Sequence, residues 1–245
     1  MGILVGFHVE GWDHLIVRSF LAALLGIPEG ELVPDWIDAP GRGWQFVLRN
    51  VDQALRRFYT MCAQLAVIGV DNDGNMDLVR SGAREDPRHP RHWNHAGPTT
   101  GCRHCAIDET VARVRASLPA LPQKPPQTWP VIVVVPVETV EAWVLELQAI
   151  INPAIGLAQA ERRQRGSFKM ALYGQPEATR AGVERVALPL IRSATAAQIG
   201  ELRNRSCSFD LFAAQLEQSR SLIMGPRDCW APGDAGAART APQEG

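Results

Sequence analysis

Apolar residues along this chain gather into short runs, and three of those runs end at acidic residues. Ile3-Leu-Val-Gly-Phe-His-Val9 is stopped by Glu10-Gly11, after which Leu15 to Leu25 repeats apolar positions at helical spacing. The pattern predicts strand, turn, helix. Leu32 to Ile37 gives a weaker second strand, and beyond the turn Gly41-Arg42-Gly43 the stretch Gln45 to Cys62 sets Phe46, Val47, Val51, Leu55, Phe58 and Tyr59 along one helical face. Leu65 to Val70 is a third strand running into Asp71-Asn72-Asp73-Gly74. The most strand-like run is Val131-Ile-Val-Val-Val135, apolar throughout as a buried parallel strand should be, and a helix follows over Glu138 to Ile151.

Between the third and fourth strands the periodicity fails. Residues from Asn75 to Cys105 collect Pro, Gly, His and Arg and read as a long loop, followed by a short helix over Thr110 to Leu118 and a proline-rich connector over Pro119 to Pro130. Pro153 to Gln218 reads as short helices with a loop near Gly166 to Gly174. Strands alternating with helices predict an α/β fold with a parallel sheet covered on both faces. The expected organisation is an α/β domain over 1–152 with an insertion at 75–106, a C-terminal helical extension over 153–222, and a tail over 223–245 whose Gly, Ala and Pro content predicts disorder.

In a parallel α/β sheet the C-terminal strand ends share one edge, where ligands bind. Glu10, Asp71 with Asp73, and Glu138 with Glu141 follow the first, third and fourth predicted strands, so carboxylates far apart in sequence are expected to converge. Clustered carboxylates repel one another unless a cation neutralises them, and hard oxygen ligands suit Mg²⁺ or Mn²⁺. A calcium loop starting at Asp71 is excluded, because its glycine stands two places early and Gly82 occupies the place of the bidentate glutamate.

His8-Val9-Glu10-Gly11 and Gly69-Val70-Asp71-Asn72-Asp73-Gly74 resemble, in order, the glutamate-glycine and Asp-x-Asp motifs of the Toprim superfamily. Pro136-Val-Glu138-Thr-Val-Glu141-Ala-Trp143 and Arg205-Ser206-Cys207-Ser208-Phe209 resemble later segments of overcoming-lysogenization-defect nucleases and of small stand-alone Toprim-like proteins of bacterial defence loci. That resemblance covers most of residues 3 to 216. It implies a Toprim-like parallel sheet flanked by helices, with Glu10, Asp71 and Asp73 as catalytic residues holding Mg²⁺ or Mn²⁺, and Glu138 and Glu141 supporting a second ion. Lys169 would meet the scissile phosphate. Nucleases of this class carry a second acidic residue four places after the glutamate; here that place is His14, and Asp13 could substitute only if the turn after Glu10 is shifted.

The implied activity is metal-dependent phosphodiester hydrolysis of DNA or RNA in anti-phage defence, with a non-catalytic metal- or partner-binding module of a defence complex as the alternative. The implied partners are a nucleic-acid substrate and a defence-system protein such as an ATPase, and a homodimer is compatible with the sequence. Tyr59 and Tyr173 stand in contexts that suggest no strand-transfer role. A haloacid-dehalogenase-type phosphatase using Asp71 as nucleophile is disfavoured by Asn75, which stands where Thr or Val is usual.

His89, His92 and His95 recur every third residue ahead of Cys102-Arg-His104-Cys105, in a segment with no other evident means of ordering itself. Thiolates two residues apart can chelate Zn²⁺ from one turn and two imidazoles can complete a tetrahedron, which gives His92, His95, Cys102 and Cys105 as the expected ligands of a structural zinc. His89 and His104 are the spares.

Composition changes this picture little. Acidic and basic residues nearly cancel, 26 against 25, which argues against coating nucleic acid by bulk charge. Lys124 and Lys169 are the only lysines. The first apolar run has no basic leader, so neither a signal peptide nor a membrane span is expected and the cytoplasm is the expected compartment. Five cysteines, an odd number, do not suggest a disulfide framework.

Overall fold

The structure is a computed structural model and describes residues 2–36, 43–71, 103–121, 125–136, 139–155 and 166–225. Four strands, β1 (Ile3–Val9), β2 (Leu32–Trp36), β3 (Leu65–Gly69) and β4 (Val131–Val134), form one sheet in the order β2-β1-β3-β4. All three pairings are parallel. Chain direction across the sheet reverses after β2, so the connections on either side of it lie on opposite faces. Helix α1 (Asp13–Leu25) covers one face, and α2 (Trp44–Thr60) with α3 (Arg103–Ser117) covers the other. The reversal puts the topological switch point between β1 and β3, the place where open α/β sheets bind ligands.

Both faces are built from residues that alternate along the strands. Val5, Phe7, Leu65, Val67, Ile132 and Val134 enter the core under α1, whereas Ala66, Ile68 and Val133 enter the core under α2 and α3. Strand β3 is buried at every position, which is why its sequence is a continuous apolar run. Helix α2 buries Val47, Val51, Leu55, Phe58 and Tyr59 of the stripe that its sequence displays, together with Ala54, while Phe46 is only partly buried. It lies close on β1: a Cβ on Gly6 would stand 2.2 Å from the Phe58 ring.

Helix α3 begins at Arg103, seven residues before the helix expected from sequence. Its buried stripe runs through His104, Cys105, Ile107, Val111 and Val114, and the polar start of that stripe hid the periodicity. Helix α4 (Val140–Ile151) packs beside α1, capped by the buried Thr139, whose hydroxyl accepts from the Glu141 N–H at 3.2 Å.

The region expected to be a loop near Gly166 to Gly174 is instead helix α5 (Gly166–Tyr173), ended by Gly174 at φ +71°. Phe168, Leu172 and Tyr173 fall on one side of it and are buried, which is what orders so short a segment. A helical stretch follows as α6 (Arg180–Gly182), a π-helical turn (Val183–Ala187) and α7 (Leu188–Ser193), then α8 (Ala196–Arg205) and α9 (Cys207–Met224). This extension shares one core with the sheet. Trp143 of α4 stacks on Phe212, meets Phe209 edge-on and donates to the Ser208 hydroxyl at 2.8 Å. The serine-phenylalanine segment is therefore, in its contacts, a lock between α9 and α4. Gln215 of α9 exchanges two 2.9 Å hydrogen bonds with the Val133 backbone, so it covers the open edge of β4.

Candidate functional site

The β1–β3 register pairs Val9 with Gly69, so the chain leaves both strands at the same level of one edge. Glu10 N–H donates to the Gly69 carbonyl at 3.2 Å, which prolongs the pairing by one residue, and the Asp71 N–H points at Glu10 Oε2 at 3.4 Å. Glu10 and Asp71 are thus neighbours, as the sequence predicts. Asp71 is buried. Asp73 and Glu138 lie outside the described residues.

The turn after Glu10 decides which residue joins them. Gly11 adopts φ +54°, a left-handed conformation natural to glycine, and Asp13 N–H bonds back to the Glu10 carbonyl at 3.2 Å. Asp13 then becomes the first residue of α1. Burial raises the pKa of its carboxyl well above the ordinary aspartate value, and the charges of Asp71, Glu141 and Glu10 push it further up while Lys169 pulls it down. Asp13 therefore lies within electrostatic reach of the other three carboxylates. His14 does not take that part: its ring is buried, Nδ1 lies 3.4 Å from the Gly11 carbonyl, and desolvation lowers its pKa.

Glu141 approaches from α4. Its side chain is fully buried at the second position of that helix, where the positive helix end favours an anion, yet neither carboxylate oxygen has a hydrogen-bond partner among the described residues. Helix α5 supplies Lys169 and, one turn on, Tyr173. The Tyr173 hydroxyl is also buried without a partner among the described residues, and desolvation followed by the charges of Glu141 and Asp13 drives its pKa far above the ordinary tyrosine value. Tyr173 is thus a buried phenol within electrostatic reach of Glu141 and Asp13, a placement the sequence did not reveal. The signal was its spacing of four from Lys169, legible only once residues 166–173 are known to be helical.

On the opposite side, Arg103 donates to the Asp71 carbonyl and lies over the Trp44 ring, its guanidinium carbon 4.1 Å from the centroid. His8 Nε2 meets the Val47 carbonyl at 2.9 Å, tying the end of β1 to α2. Glu10, Asp13, Asp71 and Glu141 all offer hard oxygen donors, and both oxygens of Glu141 are buried without a hydrogen-bond partner among the described residues. That chemistry fits Mg²⁺ or Mn²⁺. Among the described residues, however, no three His, Cys, Asp or Glu side chains stand close enough together to hold one ion as they are.

Of the expected zinc ligands, Cys105 is buried in the first turn of α3, while His92, His95 and Cys102 lie outside the described residues. Among the described residues no helix is long and apolar enough to cross a membrane. Comparison of the chain with protein-family models, with curated proteins and with solved structures gives no match.

Proposed function

We propose that the chain is a Toprim-like, Mg²⁺-dependent nuclease that hydrolyses phosphodiester bonds of DNA or RNA, with anti-phage defence as its setting. The observation that supports this reading is that Glu10 and Asp71 are neighbours at the switch point of a parallel sheet, with Asp13 in the same turn as Glu10 and the charge of Glu141, from a third segment, acting on Asp13. Glu10, Asp13 and Asp71 would hold the ion from the β1 and β3 ends and Glu141 from the α4 side, and the resemblance implies Asp73 and Glu138, which lie outside the described residues, as further ligands. A divalent cation bound there supplies charge neutralisation for a phosphate and activation of water. Lys169, whose charge acts on Asp13, would bind a phosphate oxygen. Arg103 and Trp44 form a cationic and aromatic wall at the other side of Asp71, suited to a nucleic-acid strand.

The test is cleavage of single-stranded and double-stranded DNA and RNA, with Mg²⁺ or Mn²⁺, by wild type and by Asp71→Asn. Cleavage by the wild type alone, with the variant still folded, supports the proposal; equal cleavage by both places the chemistry elsewhere. A second reading, a metal- or partner-binding module that does not hydrolyse its ligand, is favoured by the absence of a ready-made triple of ligands among the described residues. A wild type that binds Mg²⁺ and cuts none of the four substrates would establish it.

A further inference from the structure

We propose that Arg103 backed by Trp44, with Trp12 across the end of β1, is a stacking site for single-stranded nucleic acid. The inference rests on the nucleic-acid part of the proposed function and names the strand form that the site accepts; it needs no metal ion.

An indole is among the largest apolar groups a fold can bury, and Trp129 and Trp143 are used that way, one in each core. Trp12 and Trp44 are different. Both stay partly exposed, and both stand at the edge where β1 and β3 end. Trp12 follows Glu10 by two residues and packs against the core under α1, whereas Trp44 opens α2 and packs against the core on the other face. They therefore flank the end of β1 from opposite faces of the sheet. Printed in distances, the Trp44 side reaches Glu10 and Asp71 directly. A Cβ on Gly43 would stand 4.0 Å from Glu10 Oε1, and the Asp71 N–H lies 3.4 Å from Glu10 Oε2. Arg103 donates to the Asp71 carbonyl while its guanidinium carbon stands 4.1 Å from the Trp44 centroid. The carbonyl and the ring hold this arginine in place, and it too remains partly exposed.

A guanidinium backed by an indole is a platform on which a nucleobase stacks, and its charge attracts the neighbouring phosphate. A duplex keeps its base faces inside its own stack, so such a platform serves a single strand. Charge points the same way. Acidic and basic residues number 26 and 25, and the platform borders the carboxylates of Glu10 and Asp71. Phosphate attraction, the main grip of proteins on a duplex, is therefore weak here and stacking has to supply the affinity.

The experiment is fluorescence anisotropy of short labelled single-stranded DNA and RNA and of the matching duplexes, in chelator, with melting temperature recorded alongside. The full chain is used as wild type, Trp44→Ala, Trp44→Phe, Trp12→Ala and Arg103→Lys. The expected result is tighter binding of single strands than of duplexes, weakened about five- to a hundredfold by Trp44→Ala and by Trp12→Ala. Trp44→Phe should retain most of the affinity, and Arg103→Lys, which keeps the charge and loses the planar group, should lose affinity for single strands. Comparison of the DNA and RNA strands shows which sugar is preferred. Duplexes bound as tightly as single strands would overturn the proposal. Unchanged single-strand affinity in folded Trp44→Ala, Trp12→Ala or Arg103→Lys would overturn it too, and with a lowered melting temperature would mark the Arg103 contacts as a tether for α3 alone. If Trp44→Ala does not fold, Arg103→Lys decides. Wild type that neither binds nor cuts any of the four nucleic acids would refute the nuclease reading and this site together, whereas wild type that cuts, with unchanged binding in the variants, would refute only the stacking site.

Discussion

Replacing Glu141 by Gln should make the metal-free protein more stable and the metal-binding protein worse. The carboxylate is fully buried with no partner among the described residues, and its charge acts on Asp13. An unpaired buried carboxylate costs several kcal/mol even after relaxation, roughly 4 kcal/mol. A neutral amide of the same shape, equally unpartnered, costs about 1–3 kcal/mol. The substitution also forfeits the favourable interaction with the start of α4, about 0.3–1 kcal/mol. The difference leaves between about 0 and 3 kcal/mol in favour of Gln without metal, which for a chain of this size raises the melting temperature by up to about 11 °C. With Mg²⁺ the order reverses, because the ion loses one anionic ligand. The assay is thermal unfolding at neutral pH in chelator and in saturating Mg²⁺. A variant that melts clearly below wild type in chelator would refute the reasoning, since the carboxylate would then be satisfied in the metal-free fold and not held in wait for an ion.

Two further outcomes are expected. Asp13 has a folded pKa raised above its unfolded value, so its contribution to stability is present below about pH 3.9 and is lost as pH rises through the raised folded value. Asp13→Asn should flatten the metal-free stability profile above that point, and Mg²⁺ uptake by wild type should release a proton, seen as a buffer-dependent binding enthalpy. His14, whose pKa burial lowers, acts in the opposite sense below about pH 6.5, so the difference between variant and wild type carries the result; parallel profiles would remove Asp13 from the cluster. If His92, His95, Cys102 and Cys105 hold a structural zinc, elemental analysis should find about one zinc per chain, lost together in Cys105→Ser. Protein without zinc and with a readily alkylated Cys102 would exclude that site.

The strands and the carboxylates at their ends were legible because burial on both faces leaves no polar residue inside β1, β3 or β4 other than His8, and because a parallel sheet has one place for such ends to meet. The identity of the second acidic residue was not. It depended on Gly11 taking a left-handed conformation that brings Asp13 inward and turns His14 back on the Gly11 carbonyl, a choice of local geometry that spacing alone leaves open. The first turns of α3 were hidden because His104 and Cys105 are buried in a stripe that composition marks as ligands. Helix α5 was hidden by its glycine at either end, and with it the burial of Phe168, Leu172 and Tyr173. The serine-phenylalanine segment shows the converse: a motif quoted for its resemblance proves, in its contacts, to fasten α9 to Trp143.

The most direct measurement of the central claim is the position of anomalous scattering from Mn²⁺ soaked into crystals of the wild-type protein. The account predicts a peak coordinated by oxygens of Glu10, Asp13 and Asp71, with the Glu141 carboxylate drawn toward it. A well-occupied peak elsewhere, or none at a Mn²⁺ concentration that shifts the melting temperature, would contradict it.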